Sequence, residues 1–596
     1  MGGMSLTAGQ DFVVVTIPGV QAFIREARST ADVRAASEIV MVLAKRAAEA
    51  CQSAGGELVF PSGTAGGGDG MPNRVVVLAP AGRGADIAVA AVEREWDGWV
   101  RQALKLPRSA GGRPATPGVP ATVWVCVPAG PGGYAEQWET ARQLLDARRR
   151  IRDFAEVSLS GRALCSLSPR WPAEEPPPGL PEYERATLCA ANWVKRRWRQ
   201  IQKLDGFAST VSIASACYRR EVLARLGDPP VRDAVAVLME SARQVMDERE
   251  TRVPGLAEPA GDPGCWFARS GGPWVYQDRW QAESLARETK KDPGVIRRAV
   301  IRGADAAGDL VKLMRDRQVA APASYLAVVV QDVDSMGKFL SGHGTSRSGG
   351  RLSVAVAEHR RISGVLREVA GGQRRVLEGA DVLGVPVYAG GDDLLAFVPA
   401  ATALEAARAC HVLIRPDLPT ASTAVLFFHY HSGIQSAMAM ARDLLKAAKA
   451  EVPGKHALAV GYRRRSGASE ATIQPWEADG QTAAGRLGLF TVGPGYRLSP
   501  RLAADLERDD TELAGLHRRD RDLYRAELTR LVGRHLSRDR DAVAAGDTAS
   551  LDQTAREVAG ALAWLGDHEP SRPGEAAGAR PVRAARVGVF LRQEAR

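Results

Sequence analysis

The sequence predicts an α+β protein with two ferredoxin-like domains, an α-rich linker domain between them and a helical C-terminal domain. The order β-α-β-β-α-β can be read twice along the chain, and the segments between and after the two copies favour helix without a clear strand order. With 596 residues, the chain is also too long for a single hydrophobic core. We therefore expect four domains, at residues 1–155, 156–320, 321–496 and 497–596.

The first copy of this order lies near the N-terminus. A β-branched run at 11–20 predicts a strand, and the helical periodicity of 21–52 predicts a helix that ends before a Gly-Gly pair. The short strands GELVFP and NRVVVLAP, the amphipathic segment ADIAVAAVEREWDGWVRQAL and the strand ATVWVCVPAG follow in turn. This succession is typical of a split βαβ sandwich.

The second copy begins with the apolar strand SYLAVVVQDVDS, which ends in acidic residues. A helix at 352–370, a hairpin at 385–400, a helix and the strand STAVLFFHY complete the order. A further helix at 432–450 and the strand HALAVGYRR come next. The chain is therefore expected to contain a duplicated architecture.

Composition and charge indicate a cytoplasmic protein with polyanionic partners. The net charge is +10, which favours encounter with nucleic acids. Seven cysteines are scattered singly, as is usual for reduced thiols in a cytosolic chain. No apolar run is long enough to span a membrane, and the first ten residues do not have the pattern of a secretory signal.

The hairpin at 385–400 can close only if the chain reverses at Gly390-Gly391-Asp392-Asp393. Paired glycines supply the positive φ of a tight turn and leave the backbone open to a phosphate group. The two acids then stand at the tip of the hairpin. Because all four residues favour turns, a purely structural turn is the alternative interpretation.

A second acidic pair supports the functional interpretation. Asp332 and Asp334 share one face of the strand that opens the second copy, since side chains alternate along a strand. In a split βαβ sandwich this strand neighbours the hairpin, so Asp332 is expected to meet Asp392 or Asp393. Crowded carboxylates repel one another unless a cation neutralises them, and hard oxygen ligands favour Mg²⁺ or Mn²⁺.

Two such ions would position a nucleoside triphosphate, activate an attacking hydroxyl and stabilise the pyrophosphate leaving group. Lys449, near the end of the helix at 432–450, is a candidate for contact with the triphosphate. Ser335 and Gly337 follow the first strand, where a loop could wrap the phosphates. The alternative for Lys449 is an ordinary solvated helix lysine.

At these residues the chain resembles the large palm-domain subunit of type III CRISPR–Cas effector complexes, nearer the Cmr type than the Csm type. The resemblance runs from about residue 11 to at least residue 470. Its most specific segments are YLAVVVQDVDSMGKFLSG (325–342) and VYAGGDDLLAFVP (387–399). Four further segments agree: HSGIQSAMAMARDLLKAAK (431–449), RRRSG (463–467), GVQAFIREARSTADVRAASEIV (19–40) and PNRVVVL (72–78).

The resemblance implies two palm domains of the nucleotidyl cyclase type, of which the first is non-catalytic and helps to hold a second nucleotide. It implies that the second palm joins ATP molecules, by attack of a 3′-hydroxyl on an α-phosphate, into cyclic oligoadenylates when foreign RNA is bound. Asp332, Asp392 and Asp393 match the metal-binding acids of the family. The implied partners are the other subunits of the complex, CRISPR RNA and target RNA.

Two departures from the family pattern matter. Many members begin with an HD-type nuclease domain, whereas here the first palm starts at about residue 11 and the first histidine is His343, so we expect no DNase activity of this chain. The family also has a zinc site of two Cys-x-x-Cys pairs, which read here Cys165-Ser-Leu-Ser168 and Cys189-Ala-Ala-Asn192. Because structural zinc normally takes four Cys or His ligands, we expect no zinc, although Cys217 and Cys265 are possible substitutes.

Several alternatives stay open at the level of sequence. The chain could be an RNA-binding scaffold whose palm is catalytically weak, or it could join AMP to another acceptor such as S-adenosylmethionine. A free-standing signalling cyclase fits less well, because such enzymes carry Glu-Phe after Gly-Gly-Asp and this chain has Asp393-Leu394. The basic stretch at 195–199 could contact RNA, or it could be a solvated helix face with Trp198 turned inward.

Overall fold

A computed structural model provides the structure of most of the chain. It describes residues 9–63, 71–82, 85–107, 114, 116, 119–151, 159, 161–180, 185–246, 251–390, 392–491, 496–538, 550–571 and 581–595. The predicted α+β class with two ferredoxin-like domains is confirmed. Within the described residues, no helix combines the length and the apolar character that crossing a bilayer requires.

The first ferredoxin-like domain has a four-stranded antiparallel sheet with the order β2-β3-β1-β4. Its strands are β1 (Gln10–Thr16), β2 (Glu57–Phe60), β3 (Arg74–Pro80) and β4 (Val123–Val127). Its helices are α1 (Val20–Arg25), α2 (Thr30–Ser53), α3 (Ala85–Leu104) and α4 (Gly133–Arg150). Helices α1 to α3 pack on one face of the sheet, and α4, which the sequence did not predict, packs on the other.

The single helix predicted at 21–52 is wrong, because the chain forms two helices there. Ser29 begins α2 with a capping box. Its hydroxyl accepts a hydrogen bond from the Asp32 backbone N–H (3.1 Å), and the Asp32 carboxylate accepts one from the Ser29 N–H (3.3 Å). These two bonds satisfy backbone donors that a helix start leaves unpaired, and so they favour a new helix at this point.

The second ferredoxin-like domain repeats the arrangement and extends it. The sheet order is β10-β9-β8-β5-β7-β6, in which β8-β5-β7-β6 corresponds to β4-β1-β3-β2 of the first domain. The strands are β5 (Tyr325–Val333), β6 (Val385–Gly390), β7 (Asp393–Pro399), β8 (Ala421–His429), β9 (Ala457–Arg463) and β10 (Ser469–Pro475). The helices are α13 (Met336–Leu340), α14 (Val356–Leu377), α15 (Ala403–Val412) and α16 (Ile434–Glu451). Helix α16 connects β8 to the parallel strand β9, so the predicted strand HALAVGYRR lies inside the sheet, and β10, which was not predicted, forms its edge.

The segment between the two domains is helical, as predicted. It contains α5 (Ala190–Arg196), α6 (Trp198–Gln202), α7 (Thr210–Ala214), α8 (Ala216–Leu223), α9 (Pro229–Val245), α10 (Gly264–Arg269), α11 (Ala282–Thr289) and α12 (Pro293–Arg315), with a 3-10 turn at Gln277–Arg279. The C-terminal region contains α17 (Ala483–Gly488), α18 (Arg501–Arg508), α19 (Asp510–Arg519), α20 (Arg521–His535), α21 (Leu551–His568) and α22 (Val582–Glu594), with the short strands β11 (Glu477–Ala478), β12 (Gln481–Thr482), β13 (Tyr496–Leu498) and β14 (Leu536–Arg538).

Two large cores join these regions. One combines the first domain, the linker helices and the face of the second sheet that carries Leu326 and Val328. The other combines the opposite face, with Ala327 and Val329, and the C-terminal helices. Strand β5 is therefore buried on both faces, which explains its continuous apolar sequence. The domain boundaries at 155, 320 and 496 remain predictions.

The basic stretch at 195–199 mainly stabilises the fold. The Lys195 ammonium is buried and donates to the backbone carbonyls of Phe23 (2.7 Å) and Glu26 (2.6 Å). Arg196 forms an ion pair with Asp32, and the indole of Trp198 is buried. These side chains attach the linker to α1 and α2, so they are not available for the RNA contact that the sequence left open.

Candidate active site

The acids predicted to meet lie at one end of the second sheet. Strands β5 and β7 pair antiparallel with Asp332 opposite Asp393, and Gly390 at the end of β6 is also opposite Asp393. The carbonyl of Asp392 accepts a hydrogen bond from the Val333 N–H at 3.0 Å, which fixes the hairpin tip against β5. Gly391, the remaining glycine of the motif, lies outside the described residues.

Burial and mutual repulsion govern the charge of the hairpin acids. Burial, followed by the repulsion of Asp393, raises the pKa of Asp392 to about 6. Burial likewise raises the pKa of Asp393 to about 6, and Arg442 opposes this shift. A carboxylate pair of this kind binds a proton or a cation more readily than isolated acids do.

Lys449 contributes the neutralising charge on the β5 side. Its ammonium, near the end of α16, forms an ion pair with Asp332 and lies 3.3 Å from Asp334 Oδ1. Asp332 therefore turns towards Lys449 rather than towards the hairpin acids. In the part of the chain that the structure describes, no three acidic, histidine or cysteine side chains converge on one point that could hold a metal ion.

Asp334 differs from Asp332, although the two acids share one face in the sequence pattern. It is buried and accepts hydrogen bonds from Thr420 Oγ1 (2.9 Å), Ser422 Oγ (2.9 Å) and the His456 N–H (3.1 Å). These bonds use the lone pairs of the carboxylate and connect the end of β5 to β8 and β9. Asp332 is partly exposed, so it is the acid of this pair that can bind a ligand.

The loop after β5 begins with a strained backbone conformation, as is common next to ligand-binding sites. Ser335 has a left-handed backbone (φ 56°), and its hydroxyl accepts a hydrogen bond from Lys455 Nζ at 2.8 Å. Gly337 lies in α13 rather than in the predicted loop; it is exposed, and a Cβ there would meet no atom of the described residues within 4 Å. The structure thus brings Ser335 close to the acids and adds Lys455, a cation that the sequence motifs did not single out.

Two further arginines flank the hairpin acids, and sequence reasoning did not find either of them. Arg74 on β3 of the first domain interacts electrostatically with Asp392, and burial lowers the pKa of its guanidinium. Arg442 on α16 interacts with Asp393, and its guanidinium donates to the carbonyl of Gln21 in α1 at 3.4 Å. Both cations therefore lie where the two ferredoxin-like domains meet.

A cavity of about 330 Å³ opens between the two domains beside Asp392. Arg74, Arg149 and Arg367 line it together with this acid, so its charged groups are mainly cationic. An adjoining recess of about 490 Å³ shares Arg74 and Gly337 but is mainly apolar, with Phe12, Val14, Val76, Trp138, Leu145 and Leu340 in its lining. The two spaces together offer acids, guanidinium groups and an aromatic wall within one cleft.

The four positions of the degenerate zinc motif come together, but their groups do not fit zinc. The Asn192 amide nitrogen lies 3.3 Å from Cys189 Sγ and 3.5 Å from Cys165 Sγ, and it also donates to Glu26. The hydroxyl of Ser168 donates to the same Glu26 carboxylate at 2.7 Å. Amide and hydroxyl donors thus connect the two thiols and Glu26, in a place where a tetrahedral zinc site would need four lone-pair donors.

We therefore expect the purified protein to contain no stoichiometric zinc, because hydrogen bonds already hold these segments together. Elemental analysis should find well under one zinc per chain, and EDTA should leave the melting temperature unchanged. The double variant Cys165→Ser/Cys189→Ser should remain folded. One zinc per chain, lost together with stability in that variant, would contradict the expectation.

Comparison with known proteins gives consistent matches. Residues 12–157 match the family of the CRISPR-associated protein Cmr2, N-terminal, and residues 325–459 match Cas10/Cmr2, second palm domain. The CRISPR system Cmr subunit Cmr2 of Pyrococcus furiosus is 27% identical over 268 residues. That match covers 41% of this chain and 30% of the Pyrococcus protein, which is less than a third of the relative's length.

Solved structures show the same fold over nearly the whole chain. The cryo-EM structure of type III-B Cmr-beta in the apo state contains a chain with a TM-score of 0.60 and 12% identity, covering 98% of this chain and 82% of that chain. A chain in the cryo-EM structure of type III-B Cmr-beta bound to cognate target RNA has a TM-score of 0.62 and 14% identity. That match covers 99% of this chain and 83% of the other.

Two ferredoxin-like domains in tandem, with acids on the central hairpin of the second, define a tandem-palm protein. The two family matches occur in the expected order, one on each of these domains. The first domain thus matches the Cmr2 N-terminal family and the second matches the Cas10/Cmr2 second palm family, as the resemblance predicted.

Proposed function

We propose that the second palm is an ATP-dependent nucleotidyltransferase that produces cyclic oligoadenylates. The observation that carries this proposal is the pairing of Asp332 with Asp393 at a hairpin tip that faces a cationic cleft between the two palms. A cleft of this composition suits a nucleoside triphosphate, because guanidinium groups bind phosphates and an apolar, aromatic wall accepts a base.

Asp332, Asp392 and Asp393 are the residues that would hold Mg²⁺ or Mn²⁺. Their carboxylates are the hard oxygen donors that these ions prefer. The raised pKa values of Asp392 and Asp393 indicate that neighbouring cations do not fully neutralise the two carboxylates. When bound, two such ions would lower the pKa of the attacking 3′-hydroxyl and neutralise the pyrophosphate that leaves. Asp332 must leave Lys449 to join the other two acids.

The remaining groups of the cleft would position ATP. Lys449, once released from Asp332, can bind the triphosphate, with Ser335 just before α13 and Gly337 in its first turn as further candidates. Gly390 and Gly391 would allow the phosphates to approach the hairpin backbone. Arg74, which lines the cleft, and Arg442, which interacts with Asp393, would bind phosphate oxygens.

We further propose that the chain works in the cytoplasm within a type III ribonucleoprotein, together with other subunits, CRISPR RNA and target RNA. The net charge of +10 supports a nucleic-acid environment, and the matches to the Cmr2 and Cas10/Cmr2 family models support this assembly. Binding of complementary RNA would then switch the second palm on.

The proposal is tested by incubating the assembled complex with ATP, Mg²⁺ and target RNA. Mass spectrometry should detect cyclic oligoadenylates, and omission of target RNA should abolish them. A complex that binds target RNA but forms no adenylate product would support a scaffold role instead. The Asp332–Lys449 ion pair favours that second candidate, because it already neutralises one of the three acids. A product in which AMP is joined to another acceptor would identify a variant transferase.

The dual role of Lys449 leads to a prediction with two opposite readouts. The variant Lys449→Met should bind Mn²⁺ roughly tenfold more tightly, about 1.4 kcal/mol, because Asp332 loses its internal counter-ion. The same variant should turn over ATP more slowly, because the triphosphate loses a cation. Electron paramagnetic resonance of Mn²⁺ and product formation measure the two effects.

Lys446→Met, an exposed lysine one turn earlier on α16, is the matched control and should change neither quantity. Weaker Mn²⁺ binding in Lys449→Met would show that the lysine assists the metal site rather than competing for it.

A further inference from the structure

A second cavity lies at the opposite end of the second palm sheet from the acids. Its volume is about 560 Å³, and it is enclosed by the linker helices and by residues that follow β8. In the β5–β8 pairing, Ser422 is opposite Asp332 and His429 is opposite Tyr325. The two pairs are seven residues apart along the strands. At about 3.3 Å per residue, this end of the sheet is about 23 Å from the acidic site. The cavity is therefore separate from the proposed catalytic cleft.

Aromatic rings form much of the wall. Trp266, Trp274, Tyr276, Tyr430 and His431 line the cavity. The ring centroids of Tyr276 and Tyr430 are 4.9 Å apart, and those of Tyr430 and His431 are 4.3 Å apart. A volume in this range with several aromatic rings in its lining suits a small planar ligand.

The exposed Arg465 is the cationic group of the wall that suits an anionic ligand. Arg243, which also lines the cavity, pairs with Asp262 at 2.9 Å. Arg279 donates to Glu288 through one terminal nitrogen (2.6 Å), yet its Nε is buried and has no hydrogen-bond partner in the described structure. Leaving this donor unpaired has an energetic cost in the structure without ligand.

The imidazole ring at the mouth is suited to stacking rather than to charge. Burial lowers the pKa of His431, a shift that Asp278 opposes and Arg465 assists, so burial disfavours the charged form of the ring. Arg465 itself is exposed at the mouth, on the turn between β9 and β10. The cavity thus has a cluster of mutually tilted aromatic rings inside and a guanidinium group at its entrance.

We propose that this cavity binds a nucleotide, with its base against Tyr276, Tyr430 and His431 and its phosphate on Arg465 and Arg279. Base stacking on aromatic side chains combined with arginine contact to phosphate is the usual chemistry of sequence-tolerant nucleotide binding. The nucleotide can be a free adenine nucleotide or one residue of single-stranded RNA, because both present the same base and phosphate. This site goes beyond the proposed transferase activity and does not depend on it.

The test uses the full-length chain carrying Asp392→Asn and Asp393→Asn, in EDTA. Under these conditions metal-dependent binding at the acidic site does not contribute to the titration. Isothermal titration calorimetry with 5′-AMP and, separately, with hexa-adenylate RNA should show saturable binding. Arg465→Ala and His431→Ala should each weaken that binding at least tenfold. Both side chains are exposed, so these variants are expected to fold. Arg315→Ala, an exposed arginine on α12 that does not line the cavity, is the matched control.

The titrations show which kind of nucleotide binds and whether it binds in this cavity. Binding of AMP alone assigns the cavity to free nucleotides, and binding of the hexamer alone assigns it to RNA. Loss of affinity in Arg465→Ala but not in Arg315→Ala confirms the location in either case. Absence of binding by both probes, or binding that neither Arg465→Ala nor His431→Ala changes, overturns the proposal. Because the acids are already removed, failure here leaves the transferase proposal untouched.

Discussion

Replacing Asp393 by Asn should reduce nucleotidyl transfer by about two to three orders of magnitude while leaving the complex assembled. A carboxylate that holds a catalytic cation supplies several kcal/mol of transition-state stabilisation, and each 1.4 kcal/mol corresponds to about tenfold in rate. Asn keeps the shape of the side chain but has no charge to hold the ion. Asp392→Asn should behave alike. The measurement is the initial rate of product formation by the complex with target RNA bound.

The same substitutions should raise stability when metal is absent. The pKa values of Asp392 and Asp393 are raised in the folded protein to about 6, above those of free carboxyl groups, so the folded state binds more protons than the unfolded state between about pH 4 and 6. Stability of the wild-type chain in EDTA must therefore fall as pH rises through this window. The variant Asp392→Asn/Asp393→Asn should lose this component of the pH dependence, as thermal melts at several pH values would show.

The exposed Asp381→Asn, in the turn before β6, is the control for both measurements and should match the wild type. If Asp393→Asn lowered the melting temperature and prevented assembly, the hairpin acids would be structural turn residues, as the alternative interpretation of the Gly-Gly-Asp-Asp motif holds.

The part of the site that could be predicted from the sequence is the part that depends on local rules. Alternation along β5 and the reversal at Gly390 place Asp332 opposite Asp393, since strand register follows from the hydrophobic pattern and the turn. The ferredoxin-like order then fixes which strands are neighbours. These rules act through the backbone, so they determine positions but not side-chain conformations.

The side-chain arrangement depended on contacts that no local pattern contains. Asp332 turns to Lys449, whereas Asp334, two residues later, is enclosed by hydroxyl groups from β8 and its flank. Arg74 reaches the hairpin from a different domain, more than three hundred residues away in sequence. Such contacts arise only when the domains pack, and the sequence gives no periodic signal for them.

The basic stretch at 195–199 is a second case in which tertiary contacts decide the role of side chains. Charge alone suggested a solvated or RNA-binding surface, because lysine is rarely fully buried. Here the backbone carbonyls of Phe23 and Glu26 stand at the position of the Lys195 ammonium and accept its hydrogen bonds. A buried cation is tolerable when polar groups replace its water, and the sequence does not reveal where such groups lie.

Replacing Arg219 by Met should destabilise the linker region by about 3 kcal/mol, the largest loss of stability that we expect from one substitution outside the acidic site. Arg219, on α8, is fully buried and donates to the carbonyls of Ala268 (2.7 Å) and Ser212 (2.7 Å) and to the Ser212 hydroxyl (3.0 Å). Met fills most of the volume but removes the donor of all three of these bonds. The Ser212 hydroxyl and carbonyl keep Thr251 and Ser215 as donors. The Ala268 carbonyl, in contrast, loses the guanidinium that donates to it. The buried charge itself has an energetic cost, and burial lowers its pKa to about 10. Because three charge-assisted hydrogen bonds outweigh that cost, the net effect should be a loss of stability.

Hydrogen exchange at the amides of α7, α8 and α10 is the appropriate measurement, because a protein of several domains does not unfold in one step. Protection should fall in these helices and stay unchanged in the C-terminal helices, which belong to a different core. Arg220→Met is the matched control. The guanidinium of Arg220 is partly exposed, so this change should lower the free energy of unfolding by less than about 1 kcal/mol. Equal protection in Arg219→Met and the wild type would mean that the cost of burying the guanidinium cancels its hydrogen bonds, so that the arginine contributes no net stability to the linker region.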